Sequence, residues 1–320
     1  MNEGIGTRLS NRAAAGRKLG AWLLVARFPF YPMAFAAYAM GAAAAAAAAP
    51  FSPSAFVLGY AALFLIEFCT ILANEYYDYE TDRLNANFSI FTGGTRMLVE
   101  GRLSPSDIRA GIAVSLVLIA LLGSALPAVS RSAPPLLTAA MLLTGIFFGL
   151  GYTVPPLKFC YRGLGELVVS GTHSFYLVLC GYVFQAGTLS NALPWLLSLP
   201  LFFSVLGAIT LAGLPDRPAD SLASKRTVAV IFGPGIAAFI ACCCVALAAL
   251  SGALLFPGVL AGGGVRTAGT VLIALYACTL LWVLSGMMRS KDYDRRINGV
   301  MALALGYVIW FAAVPLASFL

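Results

Sequence analysis

Asn74-Glu75-Tyr76-Tyr77-Asp78-Tyr79-Glu80-Thr81-Asp82 closes an apolar run that begins near Ser54. At 3.6 residues per turn, Asn74, Asp78 and Asp82 lie about one turn apart, with roughly 6 Å of rise between neighbours. The spacing predicts one helix carrying an oxygen-bearing stripe at its end, a donor set that suits a hard cation. Leu214-Pro215-Asp216-Arg217-Pro218-Ala219-Asp220 ends another apolar run and repeats the four-residue carboxylate interval. Pro218 predicts that the helix there bends or ends, which would aim both carboxylates inward. The chain reads as two acidic motifs facing each other.

Composition decides the solvent in which these motifs sit. Of 320 residues, 60% are hydrophobic and only 10% charged, and the mean hydropathy is +0.89. That balance excludes an ordinary soluble domain and predicts an all-α integral membrane protein. Alternating β-barrel patterning is absent, and backbone groups in lipid must then be satisfied within helices. Nine apolar runs are long enough to span the hydrocarbon, at approximately 21–49, 54–80, 107–129, 133–152, 164–186, 192–214, 227–250, 266–288 and 297–319. The acidic motifs follow the second and sixth runs. That placement predicts two similar four-helix halves plus one further helix. Residues 1–20 are expected to be a cytoplasmic N-terminal segment and 21–320 a single transmembrane domain.

Charge placement sets the orientation. Arg8, Arg12, Arg17, Lys18 and Arg27 surround the start of the first run, and further cations fill every second loop. All Lys and Arg except Arg131 and Arg266 fall on the side of the acidic motifs. The positive-inside rule therefore places the N-terminus and both motifs at the cytoplasmic face of the inner membrane. The net charge of +7 is accounted for by this topology, and no basic patch interleaved with stacking aromatics points to nucleic acid. A cleaved signal peptide is not expected, because the first run is too long for its apolar region and carries Arg27 and prolines. The seven cysteines lack CxxC spacing and read as small hydrophobes. With His173 the one histidine, a soft-metal site is excluded.

Glu67 lies in mid-run, about 10 Å deeper than Asn74 by helical rise and on the face of the acidic stripe. A carboxyl there costs about 2.5–3.5 kcal/mol on insertion scales, which makes it a candidate functional group. Gly171-Thr172-His173-Ser174 sets polar groups in the fifth run, as a helix contact or a cavity wall. Thr92-Gly93-Gly94-Thr95-Arg96 places a cation after the first motif, and Ser224-Lys225-Arg226-Thr227 places two after the second. The loop between the fourth and fifth runs adds Tyr152-Thr153-Val154-Pro155-Pro156-Leu157-Lys158 and Tyr161-Arg162-Gly163-Leu164-Gly165-Glu166. Carboxylates for Mg²⁺, cations for phosphate and an apolar bundle for a hydrocarbon together describe a lipid-linked diphosphate whose allylic carbon departs.

These segments resemble the UbiA superfamily of intramembrane prenyltransferases, whose first motif is NDxxDxxxD and whose second is DxxxD. Tyr152 to Glu166 is similar to that family's YxxPPLK and RGLGE segments, and Pro215 to Gly233 to its PDxxAD and KRT run. The resemblance implies Mg²⁺-dependent transfer of a polyprenyl group from a prenyl diphosphate to a small aromatic acceptor in the membrane. It makes Asn74, Glu75, Asp78, Asp82, Asp216 and Asp220 metal ligands. Arg27, Arg96, Lys158, Arg162, Lys225 and Arg226 become diphosphate contacts and Tyr152 a wall near the allylic carbon, with Asp78, Asp216, Tyr152 and Glu67 as catalytic candidates. Glu75 stands where the family usually has Asp, and Arg-Phe-Pro stands for its Arg-Pro. Similarity is nearest to the menaquinone branch, whose acceptor is a dihydroxynaphthoate. Hydroxybenzoate, homogentisate and a non-aromatic acceptor are the alternatives within this chemistry. A cation-coupled transporter is the alternative outside it, but transporter acids sit near the midplane.

Overall fold

The computed structural model describes residues 16, 18–46, 48–130, 132–260, 263–291, 293 and 297–319. Most of the N-terminal segment, and Arg8, Arg12, Arg17, Arg131, Arg295 and Arg296 among the orienting cations, lie outside the described residues. Among the described residues, nine apolar helices carry the chain: α1 (Lys18–Ala45), α2 (Pro53–Tyr77), α3 (Pro105–Val129), α4 (Pro135–Gly151), α5 (Gly165–Ala186), α6 (Ala192–Leu222), α7 (Pro234–Val259), α8 (Gly263–Ser290) and α9 (Ile297–Phe319). Eight are long and apolar enough to cross a membrane, and α4 is a shorter apolar helix. No strand occurs among the described residues. The outward side chains are apolar too, with Leu121, Leu136, Leu143 and Trp282 all exposed, as lipid requires. The protein is an all-α integral membrane protein.

Helix starts follow local chemistry. Ser52 caps α2, its side chain accepting from the Ala55 N–H. Ser104 and Asp107 form a reciprocal capping box at α3, and Asn191 caps α6. Each satisfies backbone donors that a helix leaves without an internal partner. The Ser52 backbone also exchanges two hydrogen bonds with the Gln185 amide, at 2.7 and 3.1 Å, tying the start of α2 to the end of α5. In each half the second helix packs most extensively on the third, α2 on α3 and α6 on α7. The halves meet where α1 packs on α5 and where α9 packs on both α1 and α6.

Two expectations are corrected. The first acidic stripe is not on one unbroken helix: α2 stops at Tyr77, and a short helix, Tyr79–Leu84, follows a bend at Asp78 (φ −96°, ψ 10°). The Asp78 N–H still bonds to the Asn74 carbonyl and the Asp82 N–H to the Asp78 carbonyl, at 2.8 and 2.9 Å, so the turn-by-turn spacing survives the bend. Pro218 does not end its helix either, since α6 runs to Leu222 through Pro200, Pro215 and Pro218. A proline removes one donor and crowds the carbonyl four residues back. Here the final turns are tied from outside, by the Asn87 amide donating to the Pro215 carbonyl at 3.2 Å and the Lys225 N–H donating to the Asp220 carbonyl at 2.9 Å.

The approach of α1 to α5 is set by two glycines. A Cβ on Gly41 would collide with the Val178 carbonyl, and one on Gly181 with the Tyr38 carbonyl. Small residues let membrane helices pack backbone to backbone in this way. Gly181→Leu is therefore expected to destabilise the protein by about 3 kcal/mol or more, lowering its thermal midpoint in detergent. Gly286→Ala, where an added Cβ meets nothing within 4 Å, is expected to be neutral or slightly stabilising.

Candidate active site

The ends of α2, α4 and α6 converge on one side of the bundle, and their acidic residues surround a polar cavity of about 170 Å³. Asn74, Asp78, Asp82, Asp216, Asp220, Arg27, Tyr152 and Lys225 all line it. The Lys225 ammonium sits 2.8 Å from Asp78 Oδ2 and 3.9 Å from Asp220 Oδ1, bridging the two motifs. Burial works against that ammonium, but Asp78 and Asp220 outweigh it and hold the Lys225 pKa well above its ordinary value. The other Asp78 oxygen accepts from the Tyr161 hydroxyl at 2.8 Å. Asp216 accepts from the Asn85 amide at 2.7 Å and the Gly93 N–H at 3.2 Å. Asp220 accepts from the Thr227 hydroxyl at 3.4 Å, and Asn74 from the Thr153 hydroxyl at 2.9 Å.

Asp82 differs from these carboxylates. Among the described residues no donor reaches its side chain, and Gly94, at φ 69°, packs directly against it. Burial pushes the Asp82 carboxyl up to about 7, with Lys225 opposing and Asp78 adding to the shift. Glu166, buried beside the same cavity, accepts from the Val228 N–H at 2.7 Å through one oxygen and leaves the other without a partner. A cavity with carboxylates lacking donors and an ammonium already seated between two motifs fits a cation. Among the described residues no three acidic, histidine or cysteine side chains converge on one metal-holding point. Lys225 supplies the positive charge in the present arrangement.

A second cavity of about 260 Å³ runs deeper into the bundle. The two share Arg27, Ile71, Asn74, Phe91, Tyr152, Ile209 and Ala212 on their walls, so the acidic chamber adjoins the apolar one. Arg27 stands at this junction on a left-handed backbone (φ 53°) where α1 is interrupted, and its guanidinium donates to the Phe91 carbonyl at 3.0 Å. Glu67 and His173 face the deeper cavity from α2 and α5, with Glu67 Oε1 3.9 Å from His173 Nε2. A π-helical turn over Thr172–Tyr176 carries the histidine. Such turns re-aim side chains and are frequent at functional sites.

Several of the suggested residues are engaged by other groups of the protein in this structure. Glu75 accepts from the Thr95 N–H and hydroxyl and from the Leu98 N–H, at 3.2, 2.7 and 2.9 Å. Both its oxygens are committed to the loop after the first motif. Arg96 donates to the carbonyls of Asp82 and Asn85 and lies over the Phe88 ring at 4.2 Å, which also shapes that loop. Arg162 donates to the Pro156 carbonyl at 2.7 Å, and the Lys158 ammonium lies 3.7 Å over the Tyr161 ring. Arg96, Lys158, Arg162 and Arg226 line neither cavity. Tyr161, Asn85, Gly93 and Glu166 stand beside the acidic cluster, where the sequence reading gave them no individual place. The Asn85-Ala86-Asn87 turn was the available signal, because Asx side chains seek backbone or side-chain partners.

The sequence pattern of the UbiA prenyltransferase family matches residues 33–306. The 1,4-dihydroxy-2-naphthoate octaprenyltransferase of Escherichia coli (strain K12) is 28% identical over 220 residues, covering 67% of this chain and 68% of that protein. Among solved structures, a UbiA homolog from Aeropyrum pernix K1 superposes with a TM-score of 0.68 at 20% identity, covering 91% of this chain and 98% of that one. A UbiA homolog from Archaeoglobus fulgidus bound to GPP and Mg²⁺ gives 0.67 at 17% identity, covering 93% and 99%. At these identities the structures establish the shared fold.

Glu75 as a loop anchor makes a separable prediction. Glu75→Ala leaves three donors without a charged acceptor and is expected to cost about 3 kcal/mol, read as a lower thermal midpoint and faster proteolysis between residues 92 and 98. Glu75→Gln, which keeps one carbonyl acceptor, should lose less.

Proposed function

The chain belongs to the UbiA prenyltransferase family, and from that membership we propose that it moves a polyprenyl group from a prenyl diphosphate to a dihydroxynaphthoate within the membrane. The carrying observation is the adjacency of the two cavities: an acidic chamber with Arg27 and Lys225 adjoins an apolar one along Asn74, Phe91 and Tyr152. A diphosphate head and a hydrocarbon tail need that succession of environments. The similarity to the Escherichia coli naphthoate enzyme supports the acceptor. The excess of Lys and Arg at this end supports a cytoplasmic opening.

Asn74, Asp78, Asp82, Asp216 and Asp220 are the residues that would hold Mg²⁺. When bound, Mg²⁺ neutralises the charge that gathers on a departing diphosphate. Arg27 and Lys225 supply fixed positive charge to the same oxygens, already in place before the bond breaks. Glu75 and Arg96 hold the 92–98 loop over the chamber. Tyr152 offers an aromatic face at the junction, where an allylic cation is attracted to the ring. The apolar walls beyond it exclude the water that would otherwise capture that cation.

Purified protein given Mg²⁺, an isotopically labelled prenyl diphosphate and dihydroxynaphthoate should form the prenylated naphthalene, detected by mass spectrometry. Asp78→Asn and Asp216→Asn should each lower turnover by ~10³-fold, and chelation of the metal should abolish it. Turnover retained in either variant contradicts the two-motif site. A product formed only from hydroxybenzoate or homogentisate keeps the reaction and replaces the acceptor.

A further inference from the structure

The Glu67–His173 pair is not needed to hold the donor. It lies about seven residues, or roughly 10 Å of helical rise, beyond Asn74, and lines only the deeper cavity. Its geometry is unusual for a packing contact. His173 Nδ1 sits 3.1 Å from the Val169 carbonyl and 3.2 Å from the Thr172 hydroxyl, which itself donates to the Val168 carbonyl; a carbonyl can only accept, so this contact favours the tautomer with the proton on Nδ1 and turns Nε2 toward Glu67. Nε2 and Glu67 Oε1 are 3.9 Å apart, too far for a direct hydrogen bond. A hydroxyl entering beside them has one proton and can donate it to one of the two at about 2.8 Å. Among the described residues no hydrogen bond reaches the Glu67 carboxylate, and the Tyr176 hydroxyl on the same cavity wall is buried without a partner. An ionisable pair left open in an apolar chamber is costly to keep, and its open side faces the space where a substrate would lie.

The geometry points to Glu67 and His173 as the acceptor subsite: the hydroxyl of a hydroxyarene lies against the pair, donates its one proton to Nε2 or to Oε1, and the pair acts as its proton acceptor. This rests on the prenyl-transfer reading and adds to it the place and the base for the second substrate. As the donor C–O bond breaks, its electron pair leaves with the diphosphate. The acceptor's O–H proton passes to the pair, its electrons feed the ring, and a ring carbon bonds to the allylic carbon to give a cyclic dienone. Where that ring carbon carried hydrogen, the proton leaves with the diphosphate. Where it carried a carboxylate, carbon dioxide leaves and its electron pair stays in the ring. In both cases the pair returns its proton to the oxygen and is ready for another cycle. Delivery by a positioned base is worth ~10²–10⁴-fold in rate.

The test compares wild type, Glu67→Gln and His173→Asn in detergent, with Mg²⁺, labelled geranyl diphosphate, dihydroxynaphthoate and its O-methyl ethers. Donor binding is measured by filtration and prenylation by mass spectrometry. The expected result is ~100-fold loss of kcat or more in both variants with labelled geranyl diphosphate bound within twofold of wild type. One methyl ether should be a poor acceptor for wild type, and the preference for the free hydroxyl should disappear in Glu67→Gln. Unchanged kcat and acceptor KM in the variants overturn the subsite, as does loss of donor binding in the variants alone, which marks a structural role. If Glu67→Gln does not insert stably, His173→Asn decides by the same criteria. Failure of wild type itself to bind the donor overturns the prenyl-transfer reading, and the subsite with it.

Discussion

The arrangement depends on one cation between two carboxylates. Asp78 closes α2, Asp220 closes α6, and the Lys225 ammonium lies 2.8 Å from the first and 3.9 Å from the second. Buried like charges repel strongly where water is scarce, and the Lys225 ammonium offsets that repulsion between the ends of α2 and α6. Helix packing brings the two halves together, and Asn74, Asp82 and Asp216 line the same cavity beside this pairing. The same need for positive charge is what a metal and its diphosphate would satisfy.

Helix α2 is the spine of the site. Within one helix it carries Glu67 to the apolar cavity, Asn74 to the junction and, at its C-terminal boundary, Asp78 to the acidic chamber. The surrounding turns are held in conformations side chains seldom adopt. Arg27, Arg96, Lys158 and Ser224 all have φ between 45° and 61°. Each such residue costs of order 1–3 kcal/mol and persists only where its surroundings over-determine it. Here the surroundings are specific: Phe91 holds Arg27, Asp82 and Asn85 hold Arg96, Tyr161 faces Lys158, and Ser224 delivers Lys225 to Asp78.

The helical spans and the two acidic motifs were legible because hydrocarbon imposes long apolar runs and because ionisable residues among them stand out. The Asp78 to Asp82 and Asp216 to Asp220 intervals put four carboxylates on one cavity. What was illegible depends on distant partners. Glu75 has the residue type of a ligand, but its loop partners Thr95 and Leu98 lie about twenty positions on, and only folding shows that they claim it. Tyr161 and Asn85 looked like loop residues until Asp78 and Asp216 were placed beside them. Of the cations outside the cavities, Arg96, Lys158 and Arg162 matched a motif by spacing, yet their side chains meet local carbonyls and rings. The π-helical turn at His173 leaves no mark in residue spacing, so its aim at Glu67 appears only in three dimensions.

The central claim is that the two motifs act as one cation and diphosphate site. The most direct measurement is equilibrium binding of Mn²⁺ by electron paramagnetic resonance, with and without inorganic diphosphate, in wild type and Asp216→Asn. Diphosphate should tighten Mn²⁺ binding by about tenfold or more in wild type, and Asp216→Asn should lose that gain although Asp78 is untouched. Equal affinity and an equal response to diphosphate in the two proteins would mean that the motifs bind independently, and would contradict the account.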